Sequence, residues 1–211
     1  MNESKIWSST TDLNAHLSFG KHIEKNISIL HSLFQDAGLS RDKVRNVLDW
    51  GPGGCWISKS IGGENLILFD IVDKHEKIQK HNCKNSFEKI KFYNVSNENY
   101  PNLENKIDLA ILFSVVYHMP SIVYVENAMK KLNDYCPKYI AIRNVFTQNE
   151  INWQAETFSK KNILRMSVFG KNNFLQLFPN YKIVAQNTKS IAPQINGPDC
   201  YVQSLLLKFD S

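Results

Sequence analysis

The segment Val47-Leu48-Asp49-Trp50-Gly51-Pro52-Gly53-Gly54 restricts the fold more than any other stretch of the chain. A short apolar strand, read as Val44 to Trp50, ends in an acid and runs into a glycine-rich turn that opens a helix. That helix is expected to continue through Ile61 and to stop at Gly62-Gly63. Glycines in such a turn let the backbone approach a ligand closely, with the amides of a helix N-terminus behind it. In open α/β sheets ligands sit at the carboxyl ends of the strands, next to the first one. A second strand, Leu66 to Phe69, ends on Asp70, nineteen positions after Gly51. That is close to the roughly 20 residues expected before an acid that binds ribose hydroxyls. Two acids and a glycine loop therefore predict one nucleoside site.

The remainder of the chain alternates strand-like and helix-like runs, the α/β signature. Strands are expected at Ile90 to Tyr93, Ile107 to Phe113, Lys138 to Val145, Tyr181 to Ala185 and Tyr201 to Phe209. Helices are expected at the lysine-rich stretch after Asp70, at Ser121 to Asn133 and at Lys171 to Phe178. This gives a Rossmann-like, seven-stranded, mostly parallel sheet with an antiparallel C-terminal strand and helices on both faces. The last two strands are joined without a helix, which suits an antiparallel pair. A polar and aromatic insertion around Trp153 and Phe158 follows the fifth strand. Before the core, Leu13, Leu17, Ile23, Ile27, Leu30, Leu33 and Phe34 recur at helical spacing up to Gly38. They predict one or two extra N-terminal helices over residues 1–43, packed on a core of 44–211 within a single domain of 1–211.

The kind of nucleoside follows from what the loop lacks. A dinucleotide fingerprint needs a third glycine at position 56, where the chain has Trp56. A phosphate-binding P-loop needs Lys followed by Ser or Thr, and Cys55-Trp56-Ile57-Ser58 has no such pair. An acid at position 49 would repel a pyrophosphate, but it suits a ligand carrying an ammonium and a sulfonium. S-adenosylmethionine is such a ligand.

Asp49-Trp50-Gly51-Pro52-Gly53 resembles the D-x-G-x-G motif of class I S-adenosylmethionine-dependent methyltransferases. The stretch from Ile107-Asp108-Leu109 through Val115-Val116-Tyr117-His118-Met119-Pro120 is similar to the fourth-strand segment of the same family. The resemblance implies that Asp49, Gly51 and Gly53 hold the methionine part of the cofactor and that Asp70 grips the ribose. It further places Ile71, Asn94 and Val95 around the adenine and Ser114 at the cofactor's edge of the fourth strand. The chain departs from the family at Cys55, which replaces the third glycine of the fuller motif. His118, at the mouth of the fourth strand, is the candidate general base, since an acceptor hydroxyl must lose a proton. The alternative reading of His118, with Tyr117, is a packing or cofactor contact.

Acceptor classes are narrowed by absence. Phe113-Ser114-Val115-Val116 is not the D/N-P-P-Y/F tetrad of enzymes that methylate exocyclic amino groups of bases. Cys136-Pro137 reverses the Pro-Cys of cytosine-C5 enzymes, and Asp108 alone does not make a metal site near the fourth strand. A small-molecule acceptor is expected, a hydroxyl of a sugar or another polar metabolite. The net charge of +5 owes much to Lys74, Lys77, Lys80, Lys84, Lys89 and Lys91, with His75 and His81 between them. Interleaved Glu76 and Glu88 make that a solvated face in preference to a nucleic-acid surface. RNA methylation, aminopropyl transfer and a non-catalytic scaffold that keeps the fold are the alternatives. Cys55, Cys83, Cys136 and Cys200 are too scattered for a zinc site or a disulfide framework. The polar N-terminus carries no basic-then-apolar leader and no run spans a bilayer, so a cytoplasmic protein is expected.

Overall fold

The computed structural model describes residues 20–103, 106–159, 162–188, 190–191 and 199–210. Leu13 and Leu17 lie outside them. Helix α1 (Gly20–Asp36) leads through a 3-10 turn (Arg41–Lys43) into β1 (Asn46–Trp50), α2 (Trp56–Ile61) and β2 (Gly63–Asp70). A second 3-10 turn (Asp73–His75), α3 (Glu76–Cys83), β3 (Phe87–Asn94) and β4 (Leu109–Phe113) follow. After the turn Val116–His118 come α4 (Ile122–Asp134), β5 (Tyr139–Thr147), β6 (Trp153–Ser159) and β7 (Asn162–Gly170). The chain continues with α5 (Lys171–Leu175), β8 (Tyr181–Gln186), β9 (Ser190–Ile191) and β10 (Cys200–Phe209).

The sheet runs β3-β2-β1-β4-β5-β10-β8. β1 to β5 are mutually parallel, and β10 is antiparallel to both β5 and β8. The order reverses between β1 and β4, which opens a crevice at their carboxyl ends. The expected seven-stranded, mostly parallel sheet is present, and among the described residues three further strands extend it to ten. Seven form the main path, β9 flanks β10, and the insertion around Trp153 and Phe158 is the antiparallel hairpin β6–β7. That hairpin joins the sheet where β7 pairs in parallel with the end of β5, Phe146 beside Phe169 and Thr147 beside Gly170.

Both sheet faces are covered, which is why the central strands read as nearly continuous apolar runs. On one face Leu48, Phe69, Ala110, Leu112, Ile140 and Ile142 pack against Val125, Ala128, Met129 and Leu132 of α4. These four helical positions are fully buried, the larger ones contributing about 1.5–3 kcal/mol each. The α4 N-terminus is capped by Ser121, whose Oγ accepts from the Tyr124 amide at 3.0 Å. On the other face Val47, Leu66, Leu68, Leu109, Ile111, Ala141 and Leu206 pack against Leu30, Leu33 and Phe34 of α1, with Cys55, Ile61 and Cys83. Helix α1 thus sits flat on the core beside α2, β8 and β10. Among the described residues no helix is long and apolar enough to cross a membrane.

Candidate functional site

At the end of β1, Asp49 projects from the α1–α2 face of the sheet and is only 3% exposed. Ser58 of α2 donates its hydroxyl to Asp49 Oδ2 at 2.5 Å. No lysine, arginine or histidine lies within ion-pair reach of Asp49 among the described residues. Burial pushes its carboxyl up to about 7, against the lowering effect of the Ser58 bond, and the nearby charge of Asp70 adds to the rise.

The loop that follows separates two kinds of glycine. Gly51 has φ +68°, and a Cβ there would stand 2.2 Å from Val115 Cγ2, so the turn after β4 presses directly on it. Gly53 has φ +54°, yet a Cβ there would meet nothing within 4 Å. Gly51 is required by packing, whereas the space beside Gly53 is open to a ligand. Cys55, in place of a third glycine, adopts the left-handed φ of 65° and buries its thiol 3.3 Å from Ser58 Oγ.

Asp70, closing β2, is held on every side. Its Oδ1 accepts from the amides of Ile71 and Val72 at 2.7 and 3.1 Å. Its Oδ2 accepts from Gln79 Nε2 at 2.6 Å and faces His75 Nδ1 at 3.1 Å. Gln79 Nε2 also donates to the Gly53 carbonyl at 3.1 Å, and Asn82 Nδ2 donates to the Gly54 carbonyl at 2.8 Å. Helix α3 therefore ties the acid of β2 to the glycine loop of β1. His75 corrects its sequence reading: it is 7% exposed and turned onto Asp70, while Lys74, Lys77, Lys84, Lys89 and Lys91 are exposed as expected of a solvated face. Gln79, fully buried, was not legible as a site residue. The clue would have been the i, i+4 pair His75 and Gln79 on one helical face just after the acid.

The other expected contacts are distributed unevenly. Ile71 is half-buried at the crevice. Asn94 Oδ1 accepts from the Ser96 amide at 2.9 Å and its Nδ2 donates to Asp73 at 2.7 Å, so one lone pair of the oxygen is already used. The Val95 side chain is fully buried in the α4-side core, which corrects the expectation that it covers a ligand ring. Ser114 ends β4 with φ +61° and donates its amide to the Arg143 carbonyl at 2.8 Å. The His118 ring lies against that of Tyr117, centroids 4.1 Å apart and planes tilted by 46°, and burial lowers its pKa to about 4. It is therefore neutral at pH 7, able to take a proton but weakly basic.

These features test the fit of S-adenosylmethionine. A buried carboxylate without a countercharge among the described residues, a second acid nearby and open space over Gly53 suit a cationic nucleoside. Asp70 fits it only if a ribose hydroxyl displaces one of its present donors.

No family model and no curated protein matches the chain. Solved structures do. An S-adenosylmethionine-dependent methyltransferase from Clostridium acetobutylicum ATCC 824 superimposes with a TM-score of 0.59 at 8% identity, over 88% of this chain and 91% of that one. This chain has the class I methyltransferase fold. The magnesium protoporphyrin IX methyltransferase of Synechocystis PCC 6803, with S-adenosylmethionine bound, gives 0.60 at 14% identity over 89% and 79%. The N-methyltransferase NodS of Bradyrhizobium japonicum WM9, in complex with S-adenosyl-L-homocysteine, gives 0.61 at 11% identity over 89% and 87%. The methyltransferase fold puts the acid and glycine loop of β1, the acid of β2 and the turn after β4 along one crevice.

Proposed function

We propose that the protein is an S-adenosylmethionine-dependent methyltransferase acting on a small molecule, at a hydroxyl of a sugar or another polar metabolite. The observation that carries the reading is Asp49, an acid buried at the glycine loop with no basic side chain in ion-pair reach among the described residues. When bound, the cofactor supplies a methyl carbon already activated by its sulfonium. Asp49 balances the positive charge of the methionine end, with Gly51 and Gly53 beneath it. Asp70 accepts from the ribose, and Ile71 and Asn94 border the adenine. Ser114 shapes the edge of the crevice where the acceptor enters. Positioning then supplies most of the rate, because an in-line displacement at an activated carbon asks chiefly for alignment. The neutral His118 imidazole takes the hydroxyl proton on a ring nitrogen, and its low basicity makes that a minor contribution.

The test is transfer of a labelled methyl group from S-adenosylmethionine to a panel of sugars and hydroxylated metabolites, with RNA as a comparison acceptor. Label in a sugar or metabolite product, lost in Asp49→Asn, is expected. Label in RNA alone would replace the acceptor class, with the exposed lysines of α3 and β3 as its surface.

One observation favours a second reading, a binding or scaffold protein on the same fold. The Asp70 carboxylate is already met by two amides, an amide side chain and a histidine, so the unliganded grip is closed. Failure of the purified, folded chain to bind the cofactor would select this reading.

A further inference from the structure

Arg143 of β5 lies level with Phe113 of β4 and Ser204 of β10. Strand alternation puts its side chain on the same face as Ala141, and therefore on the face from which Val47 and Asp49 of β1 project. Two strand spacings, about 10 Å, separate β5 from β1. The carboxyl edge of the sheet thus presents an acid and a base on one face, on either side of β4.

Among the described residues no acid pairs with the base. Arg143 is half-buried, and Nη1 donates to Ser204 Oγ at 3.0 Å. Ser204 is itself fully buried, and its amide donates to Asn187 Oδ1 at 2.6 Å, so the hydroxyl that orients the guanidinium is fixed. No carboxylate lies within ion-pair distance of Arg143 among the described residues. A guanidinium carries five donors in a planar fork suited to carboxylate and phosphate oxygens, and Ser204 takes one of them. Desolvation pulls its pKa down, and the nearby Tyr117 phenol acts in the opposite direction. The Tyr117 phenol is in turn raised by burial, against the lowering effect of a hydrogen bond from Ser114. Ser114, Tyr117, Arg143 and Ser204 therefore form a polar cluster on the acceptor side of β4, positively charged and with no acid paired to it among the described residues.

We propose that Arg143, oriented by Ser204 and with Tyr117 beside it, binds an anionic group of the methyl acceptor, a carboxylate or a phosphate. The identification of that ligand as the acceptor rests on the methyl-transfer reading above. It makes the substrate an acidic hydroxyl compound, of the sugar-acid or sugar-phosphate kind. Asp49 and Arg143 then sort two ligands by charge, the cationic donor over β1 and the anionic acceptor over β5.

The test titrates the full chain by calorimetry with D-glucuronate, glucose 6-phosphate and neutral glucose, and separately with S-adenosylmethionine. Wild type, Arg143→Gln and Arg143→Lys are compared, with thermal melts to establish folding. Wild type is expected to prefer one of the two anionic probes over glucose by about tenfold or more, and which one separates carboxylate from phosphate. Arg143→Gln is expected to lose that preference while its affinity for S-adenosylmethionine stays within about twofold, and Arg143→Lys to retain part of it. If the glutamine variant unfolds, the lysine variant carries the comparison, because it keeps the charge and loses the fork. Equal binding of glucose and both anions by wild type overturns the proposal, as does an anion preference untouched in Arg143→Gln. Loss of cofactor binding in that variant with anion binding intact also overturns it, by assigning Arg143 to the donor's own carboxylate. Absence of cofactor binding in wild type, with an anion still held through Arg143, ends the donor reading and leaves the anion site standing.

Discussion

Around β1 and β2 most buried polar groups are hydrogen-bonded to one another, whereas on β5 the buried Asn144 amide meets no partner among the described residues. Asp70, Gln79 and the Gly53 carbonyl form a connected set of hydrogen bonds, and Asn82 adds a separate one to the Gly54 carbonyl. On the other side of the crevice Arg143 is held by one serine, and Ser114 carries a left-handed backbone without being glycine. A connected network fixes a shape before the ligand arrives. An uncompensated charge at a half-buried site waits for a ligand to complete it. On the proposed reading the donor half is thus prebuilt, with Asp49 as an acid that meets no basic side chain among the described residues, and the acceptor half is left open.

Asp49→Asn breaks the donor half most strongly. Affinity for S-adenosylmethionine is expected to fall about a hundredfold, the scale of a lost buried charge pair. The same substitution is expected to stabilise the ligand-free protein at pH 8. The folded-state carboxyl is pushed up to about 7 from a reference value of 3.8. The folded state therefore binds more protons than the unfolded one between those values, and stability falls as pH rises through that window. Asparagine keeps an acceptor for Ser58 and removes the penalty, worth on the order of 2–4 kcal/mol above pH 7. Urea unfolding at pH 5 and pH 8 checks this, and a gain in the variant no larger at pH 8 than at pH 5 would contradict it.

Gly51→Ala and Gly53→Ala sharpen the contrast within the loop. Both incur left-handed strain of about 1–2 kcal/mol, but only Gly51→Ala drives a Cβ into Val115. Gly51→Ala is expected to destabilise by about 3 kcal/mol or more, with partial rescue by Val115→Ala, and Gly53→Ala chiefly to weaken the cofactor. Gln79→Leu cuts the tie between Asp70 and the loop and is expected to cost about 2 kcal/mol by urea unfolding. A neutral result would show the network to be dispensable. The smallest effect is expected at His118→Gln, a fall in kcat of less than about tenfold. Its low pKa leaves the imidazole unprotonated above about pH 5, so no inflection attributable to it is expected between pH 6 and 8.

The two halves also differ in how far the sequence discloses them. The β1 loop and the Asp70 terminus are local patterns, an apolar run followed by an acid and glycines, and their strands fell where the periodicity put them. Gln79 and His75 act through a contact with Asp70 that is made only when α3 packs, and in sequence they sit among lysines that do face water. Arg143 lies inside Ile140-Ala141-Ile142-Arg143-Asn144-Val145, which reads as a buried strand, and its exposure to the crevice depends on its register with β4 and β10. The β6–β7 hairpin escaped because Trp153-Gln154-Ala155-Glu156-Thr157-Phe158-Ser159 has too few apolar residues to signal a strand. Pairing of β6 with β7, and of β7 with the end of β5, supplies what the composition of β6 does not.

The most direct test is calorimetric titration of the protein with S-adenosylmethionine at pH 7, in two buffers of different ionisation enthalpy, beside Asp49→Asn. The account predicts micromolar binding by wild type with release of about half a proton, since a cation beside Asp49 drives its carboxyl to ionise. Both the proton release and most of the affinity should be absent in the variant. No binding, or binding that the variant leaves unchanged, would contradict it.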